Sequence, residues 1–217
     1  MPLPMVHLSV AVYLSEIDGR FPSPDFLLGS IAPDAIHMRP NTNERDKKCV
    51  HLVELDVTNQ ELARLFQTKY VVEGSQPMGF SEGYLTHILT DRLWWEAVID
   101  PFRKILPPTF PEQDFRSLYY RETDQIDIDL YRQMPWRPEI WSKLDAATAA
   151  DFAPFLTAEE IDQWRDRTLV WYEDPGHDPM IEPVYITRAD TQTFIDRAVT
   201  EIARIFADLK RPLDSKG

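Results

Sequence analysis

Along most of the chain apolar residues return every three or four positions, while the alternating apolar and polar runs of half-buried strands are scarce. A short extended piece at residues 183–186 is the exception. A chain patterned at the helical period must bury one stripe of each helix against the others. The expected fold class is therefore all-α, a single-domain multi-helix bundle over residues 1–217, with a ligand-bearing half at about 1–95 and a helical C-terminal half at about 110–210. A length of 217 residues suffices for one substantial core, and the 18 prolines are spread among connections rather than gathered in a linker.

Local signals place the elements. A first helix is expected over residues 6–14, followed by a connection punctuated by Pro and Gly in which residues 26–31 form a short helical turn. The polar stretch RPNTNERDKK, residues 39–48, reads as a surface loop. Thr58-Asn59-Gln60-Glu61 and Thr157-Ala158-Glu159-Glu160 fit capping boxes that open helices. Residues 80–98 form the longest strongly apolar helix, which Pro101 and Pro107-Pro108 should end. Further helices are expected over 113–133, 138–144 and 189–209. Glu122, Asp124, Asp127 and Asp129 read as a solvated helix face, and the tryptophan-bearing groups, Trp94-Trp95 among them, as core.

The net charge of -13 and isoelectric point near 4.8 oppose attraction to polyanions, which disfavours duplex nucleic acid and anionic membrane surfaces as partners. Cys49 is the single cysteine, so no internal disulfide forms, which fits a reducing compartment, and its expected role is that of a small, partly buried residue. No stretch approaches the roughly 20 apolar residues of a membrane span, and the opening residues lack the basic start of a secretion signal. A soluble protein of cytoplasmic localisation, with no transmembrane segment, is expected.

The chemistry resides in histidine and aspartate. Five histidines are present, and each taken singly is more often a structural or surface residue than a ligand. In GYLTHILTD, residues 83–91, His87 and Asp91 stand four apart, which puts both side chains on one helix face about 5–6 Å apart at Cβ. Imidazole nitrogen and carboxylate oxygen are zinc ligands at about 2.0–2.2 Å. An HxxxD pair alone is a weak signal. It gains weight from its company: His7 in the first helix, Asp34 within GSIAPDAIH, and His51 after a polar loop.

In that order and setting the N-terminal half, about residues 1–95, resembles the zinc-dependent phospholipase C superfamily. That superfamily includes the single-strand-specific zinc nucleases and the catalytic domain of glycosylphosphatidylinositol phospholipase D. The resemblance implies an all-α fold and makes His7, Asp34, His51, His87 and Asp91 the metal ligands, with one carboxylate bridging two ions. Secreted members also use the amino group of an N-terminal Trp, where this chain has Met1, and full three-zinc members add a later histidine pair and an HxxxE motif. After Asp91 the only histidine here is His177. The implied site is thus a reduced one of one or two zinc ions, or another divalent transition metal. Asp34, His51, His87 and Asp91 surround the first ion, and His7 with the second oxygen of Asp91 begins the second.

The function implied is a metal-dependent hydrolase acting on a small-molecule or lipid phosphoester, either phosphodiester or phosphomonoester. Asp34 is the candidate catalytic residue that orients or deprotonates the attacking water. His37, Arg39 and Arg92 are candidate substrate contacts or additional ligands, while His177 reads as part of a polar turn. The alternative is a non-catalytic helical protein that retains a reduced metal site for stability or for binding a partner.

Overall fold

Helix starts in this chain follow local capping chemistry. Thr58, Thr157 and Thr187 each accept a hydrogen bond from the backbone N–H three residues on, and Glu61, Glu160 and Asp190 reach back to close the box. Asn43 and Asp46 do the same for a helix inside the polar stretch, and Ser23 Oγ accepts from Phe26 N just before a proline in the first turn. A computed structural model of the chain describes residues 3–17, 19–71 and 79–211.

The elements in chain order are α1 (Pro4–Ile17), α2 (Pro24–Ile31), a 3-10 helix (Ala32–Met38), α3 (Glu44–Val50), α4 (Asn59–Lys69) and α5 (Phe80–Trp94). A π turn (Trp95–Ile99) then leads into α6 (Asp100–Ile105), followed by α7 (Glu112–Gln133), α8 (Arg137–Asp145), α9 (Ala158–Trp171), a 3-10 turn (Pro175–His177) and α10 (Arg188–Leu209). The fold is all-α. Among the described residues the only β pairing is an isolated bridge between Phe152 and Leu156, and no helix is long and apolar enough to cross a membrane.

The packing that matters most for the site is α2 against α5. A Cβ on Gly29 would lie 2.1 Å from Phe80 O, and one on Gly83 would lie 2.1 Å from Phe26 O, so the two backbones touch and only glycine fits at either position. Helix α1 lies against α2, α5, α7 and α10. Around α5, Phe66, Tyr84, Phe152 and Phe155 form a buried aromatic cluster. Tyr84 Oη donates to Val50 O at 2.7 Å, which ties the end of α3 to the middle of α5. Trp94 Nε1 donates to Tyr119 Oη at 2.8 Å and ties α5 to α7.

Several local expectations are corrected. The stretch 39–48 is a loop only in its first part, because Asn43 caps α3 and Asn41 turns the chain in a left-handed conformation (φ 58°). Residues 26–31 belong to a complete helix that begins at Pro24. Pro101 does not end the α5 region. The π turn moves the hydrogen bond of Asp100 N to Trp95 O, and Pro101, which lacks an N–H, sits in the first turn of α6.

Residues 183–186 form no strand, since Val184, Tyr185 and Ile186 donate their N–H groups to the Glu122 carboxylate at 3.0, 2.8 and 2.7 Å. Glu122 and Asp127 are accordingly buried, at 2% exposure each, and do not belong to a solvated face. Trp95 is 54% exposed rather than core, and Cys49 is exposed rather than partly buried.

Candidate metal centre

Five side chains from four segments meet beside α5. His7 comes from the start of α1, Asp34 from the 3-10 helix after α2, His51 from the residue that closes α3, and His87 and Asp91 from successive turns of α5. His7, His51, His87 and Asp34 are buried, and the Asp91 side chain is 11% exposed.

The second nitrogen of two of these rings is held by a backbone carbonyl. His51 Nδ1 lies 3.0 Å from Lys47 O and His87 Nδ1 lies 2.8 Å from Ser30 O. A carbonyl only accepts, so Nδ1 carries a proton in both rings, which leaves Nε2 as the nitrogen of each ring that could bind a metal. The Ser30 carbonyl reaches α5 because Gly29 and Gly83 let the two helices approach so closely.

The Nε2 atoms converge on the carboxylates. His51 to Asp34 Oδ1 is 3.4 Å, His87 to Asp91 Oδ2 is 3.4 Å, His7 to Asp91 Oδ1 is 3.5 Å and His51 to Asp91 Oδ2 is 3.7 Å. These are longer than the usual N–H···O range of about 2.7–3.2 Å. They match the separation of about 3.4 Å expected between two ligand atoms that each lie about 2.1 Å from a shared ion at tetrahedral angles.

Eleven buried side-chain polar atoms have no hydrogen-bond partner among the described residues, and seven of them belong to these five side chains: both ring nitrogens of His7, Nε2 of His51 and His87, Asp34 Oδ1 and both oxygens of Asp91. Burying such atoms without a partner is costly, and the ligand atoms of His7, Asp34 and His87, like those of His51, His87 and Asp91, lie within 4.8 Å of one another, so these groups could hold a metal ion. Neutral imidazoles and ionised carboxylates are the donor set of a divalent transition metal, and zinc fits it.

The electrostatics favour that protonation state at three of the groups. Burial pushes His7 well below its ordinary pKa, and the His87 ring stacked on it adds to the effect. Burial by itself would raise Asp34 and Asp91, but the neighbouring His51 and His87 outweigh it and hold both carboxyls below the usual range. Burial also disfavours charge on His51, where Asp34 and Asp91 prevail and raise its pKa, so a proton competes with a cation for this one nitrogen.

Two of the other candidates, Arg39 and Arg92, are engaged elsewhere. Arg39 donates from Nε and Nη2 to the two Glu160 oxygens at 2.6 and 3.0 Å and from Nη2 to Phe155 O at 2.7 Å, so its guanidinium ties the 3-10 helix to α9. Arg92 donates to Asn59 Oδ1, Leu55 O and Val57 O and braces the connection between α3 and α4. His37 is exposed and lies beside Trp164, with ring centroids 6.0 Å apart. His177 stacks on Trp171 at 3.5 Å with its Nδ1 on Trp171 O, in the turn where a polar role was expected. Met1 lies outside the described residues.

Sequence reading missed the carbonyls of Ser30 and Lys47 and the glycines that make the crossing. A glycine inside a helical pattern, as in LLGS and EGYL, is the signal that could have pointed to a close backbone approach. Comparison with known proteins finds no family model, curated protein or solved structure that matches this chain.

Proposed function

We propose that the chain is a metal-dependent hydrolase of phosphoesters, using one or two zinc ions held by His7, Asp34, His51, His87 and Asp91. The observation that carries this reading is the convergence of seven unpartnered, buried donor atoms from four separate segments. The order of these residues along the chain, which resembles the zinc-dependent phospholipase C pattern, supports the choice of phosphoester as substrate class.

A bound divalent ion supplies Lewis acidity, which polarises a phosphoryl oxygen and acidifies the attacking water. Asp34, held below the usual carboxylate range, is ionised at neutral pH and accepts a proton from that water. Asp91 presents one oxygen to His7 and the other to His51 and His87, which suits a bridging carboxylate. The carbonyls of Lys47 and Ser30 hold His51 and His87 in register so that neither ring must reorient during the reaction. Arg39 and Arg92, already engaged elsewhere, are left out of the substrate contacts.

A second reading is a buried structural metal site without catalysis, and the depth of the cluster favours it: the His7 and His87 side chains have no exposed surface. One experiment separates the two. The protein is purified without added metal, its elemental content is measured beside the His87→Ala/Asp91→Ala double variant, and both are assayed on bis-p-nitrophenyl phosphate and p-nitrophenyl phosphate. Metal lost in the variant together with metal-dependent hydrolysis supports the hydrolase. Bound metal without turnover leaves the structural site, and no metal uptake at all overturns both readings.

A further inference from the structure

We propose that Asp127 is a positioning residue of the metal centre: by holding the first turn of α1 through Met5, it fixes where His7 presents its imidazole. This rests on the metal reading above.

The three histidines of the centre are not held alike. His51 and His87 each have Nδ1 anchored on a carbonyl, whereas neither ring nitrogen of His7 has a hydrogen-bond partner among the described residues. The orientation of His7 therefore depends on its stacking against His87 and on the backbone that carries it. That backbone is the first turn of a helix, where N–H groups lack intrahelical acceptors and ends tend to fray.

Two features leave α1 without a cap of its own: Pro4 has no N–H, and Leu3 has no side-chain acceptor. The missing acceptor comes from α7. Asp127 Oδ1 accepts from Met5 N at 2.9 Å across 122 positions of sequence and so supplies a cap to this helix start. His7 stands two residues further on in the same turn.

Asp127 is itself held from the other side. Its Oδ2 accepts from Tyr172 Oη, and the Tyr172 ring stacks on Tyr131 at 4.4 Å, with Trp141 edge-on at 5.7 Å. The carboxylate is 2% exposed, so few alternative positions are open to it. A buried carboxyl at that depth, bonded among the described residues to nothing but the first turn of α1 and a clamped tyrosine, is explained if its task is to hold that turn.

The test is zinc affinity of the full chain, measured by competition with a chelating dye for wild type, His7→Ala, Asp127→Ala, Asp127→Asn and Tyr172→Phe, with helical content followed by circular dichroism. Loss of a residue that orients a ligand typically weakens metal binding by roughly 10- to 100-fold. That loss is expected in Asp127→Ala at the site His7 serves, and His7→Ala, which removes the ligand itself, sets its upper limit. Asp127→Asn, which still offers an oxygen to Met5 N, should return close to wild type, and Tyr172→Phe should show a smaller loss in the same direction.

Wild-type zinc affinity in a folded Asp127→Ala variant, even one that melts earlier, overturns the inference and leaves the metal reading standing. So does an Asp127→Asn variant as weak as Asp127→Ala. If Asp127→Ala does not fold, Tyr172→Phe decides, and unchanged affinity there overturns the proposal. Failure of the wild type to bind zinc overturns the metal reading and this inference together.

Discussion

The imidazole rings of His7 and His87 lie parallel, 3.7 Å apart and inclined by 4°, while their Nε2 atoms face different oxygens of one carboxylate, Asp91 Oδ1 for His7 and Asp91 Oδ2 for His87. The lone pair of an imidazole nitrogen lies in the ring plane, and two parallel planes share no common point. With two ions bound, each ring would serve its own ion and Asp91 would lie between them. Zinc titration of metal-free protein should show two unequal classes of site. His7→Ala should abolish the weaker class and spare the tighter one, whereas His87→Ala should abolish the tighter class. One class that both variants remove together would show that the rings share a single ion.

Metal removal should lower thermal stability, because binding to the folded state alone stabilises it by mass action. At free zinc about 100 times its dissociation constant the gain is about 2.7 kcal/mol. For a chain of this size that corresponds to a rise in melting temperature of roughly 5–11 °C. The check is a pair of thermal scans on chelator-treated protein with and without zinc restored. The His87→Ala/Asp91→Ala variant should show no such difference.

The crossing of α2 and α5 should tolerate nothing larger than glycine. Gly29→Ala or Gly83→Ala would bring a methyl group to 2.1 Å from a carbonyl oxygen of the facing helix. Backbone cannot yield as a flexible side chain does, so a loss of at least about 3 kcal/mol is expected, at or beyond the upper end of ordinary overpacking. Urea denaturation measures it. Zinc affinity should fall as well, because moving α2 away withdraws the Ser30 carbonyl from His87 Nδ1.

The Asp127 carboxyl predicts a pH dependence with a definite sign. Burial pushes its pKa up to about 7 from an ordinary 3.8, against the opposing hydrogen bonds from Tyr172 and Met5. Between those two values the folded state binds more protons at this group than the unfolded state does, so the group's contribution to stability falls as pH rises through the window. Asp127→Asn removes that penalty. The variant should gain stability relative to wild type between pH 4 and pH 8, with nearby Asp124, itself raised to about 6, present in both proteins and cancelling. A stability difference independent of pH would show that Asp127 does not titrate in this range.

Arg39→Ala should act on stability and not on the metal. Its side chain bridges both Glu160 oxygens and Phe155 O at partial exposure. The expected loss is about 1–2 kcal/mol, below the full value of buried charged hydrogen bonds because solvent screens the pair. Chemical denaturation and elemental analysis check the two halves of this expectation, and a change in zinc content would place Arg39 at the centre after all.

Features whose partners lie within a few residues could be read directly along the chain. The capping boxes at Thr58 and Thr157 close over three residues, the helical period reports which face is buried, and His87 and Asp91 share a face because they are one turn apart. An all-α fold follows from those short-range rules. Where each helix crosses the next does not follow from them. The approach of α2 to α5 brings Ser30 O to His87 across 57 positions, Glu160 takes Arg39 across 121, and Glu122 takes the N–H groups that a strand at 183–186 would have used. Burial of Asp127 and exposure of Trp95 and Cys49 have the same origin. A side chain's sequence neighbours limit its rotamer and its face, but its charge partner and its access to water depend on which distant segment the packed backbones bring against it.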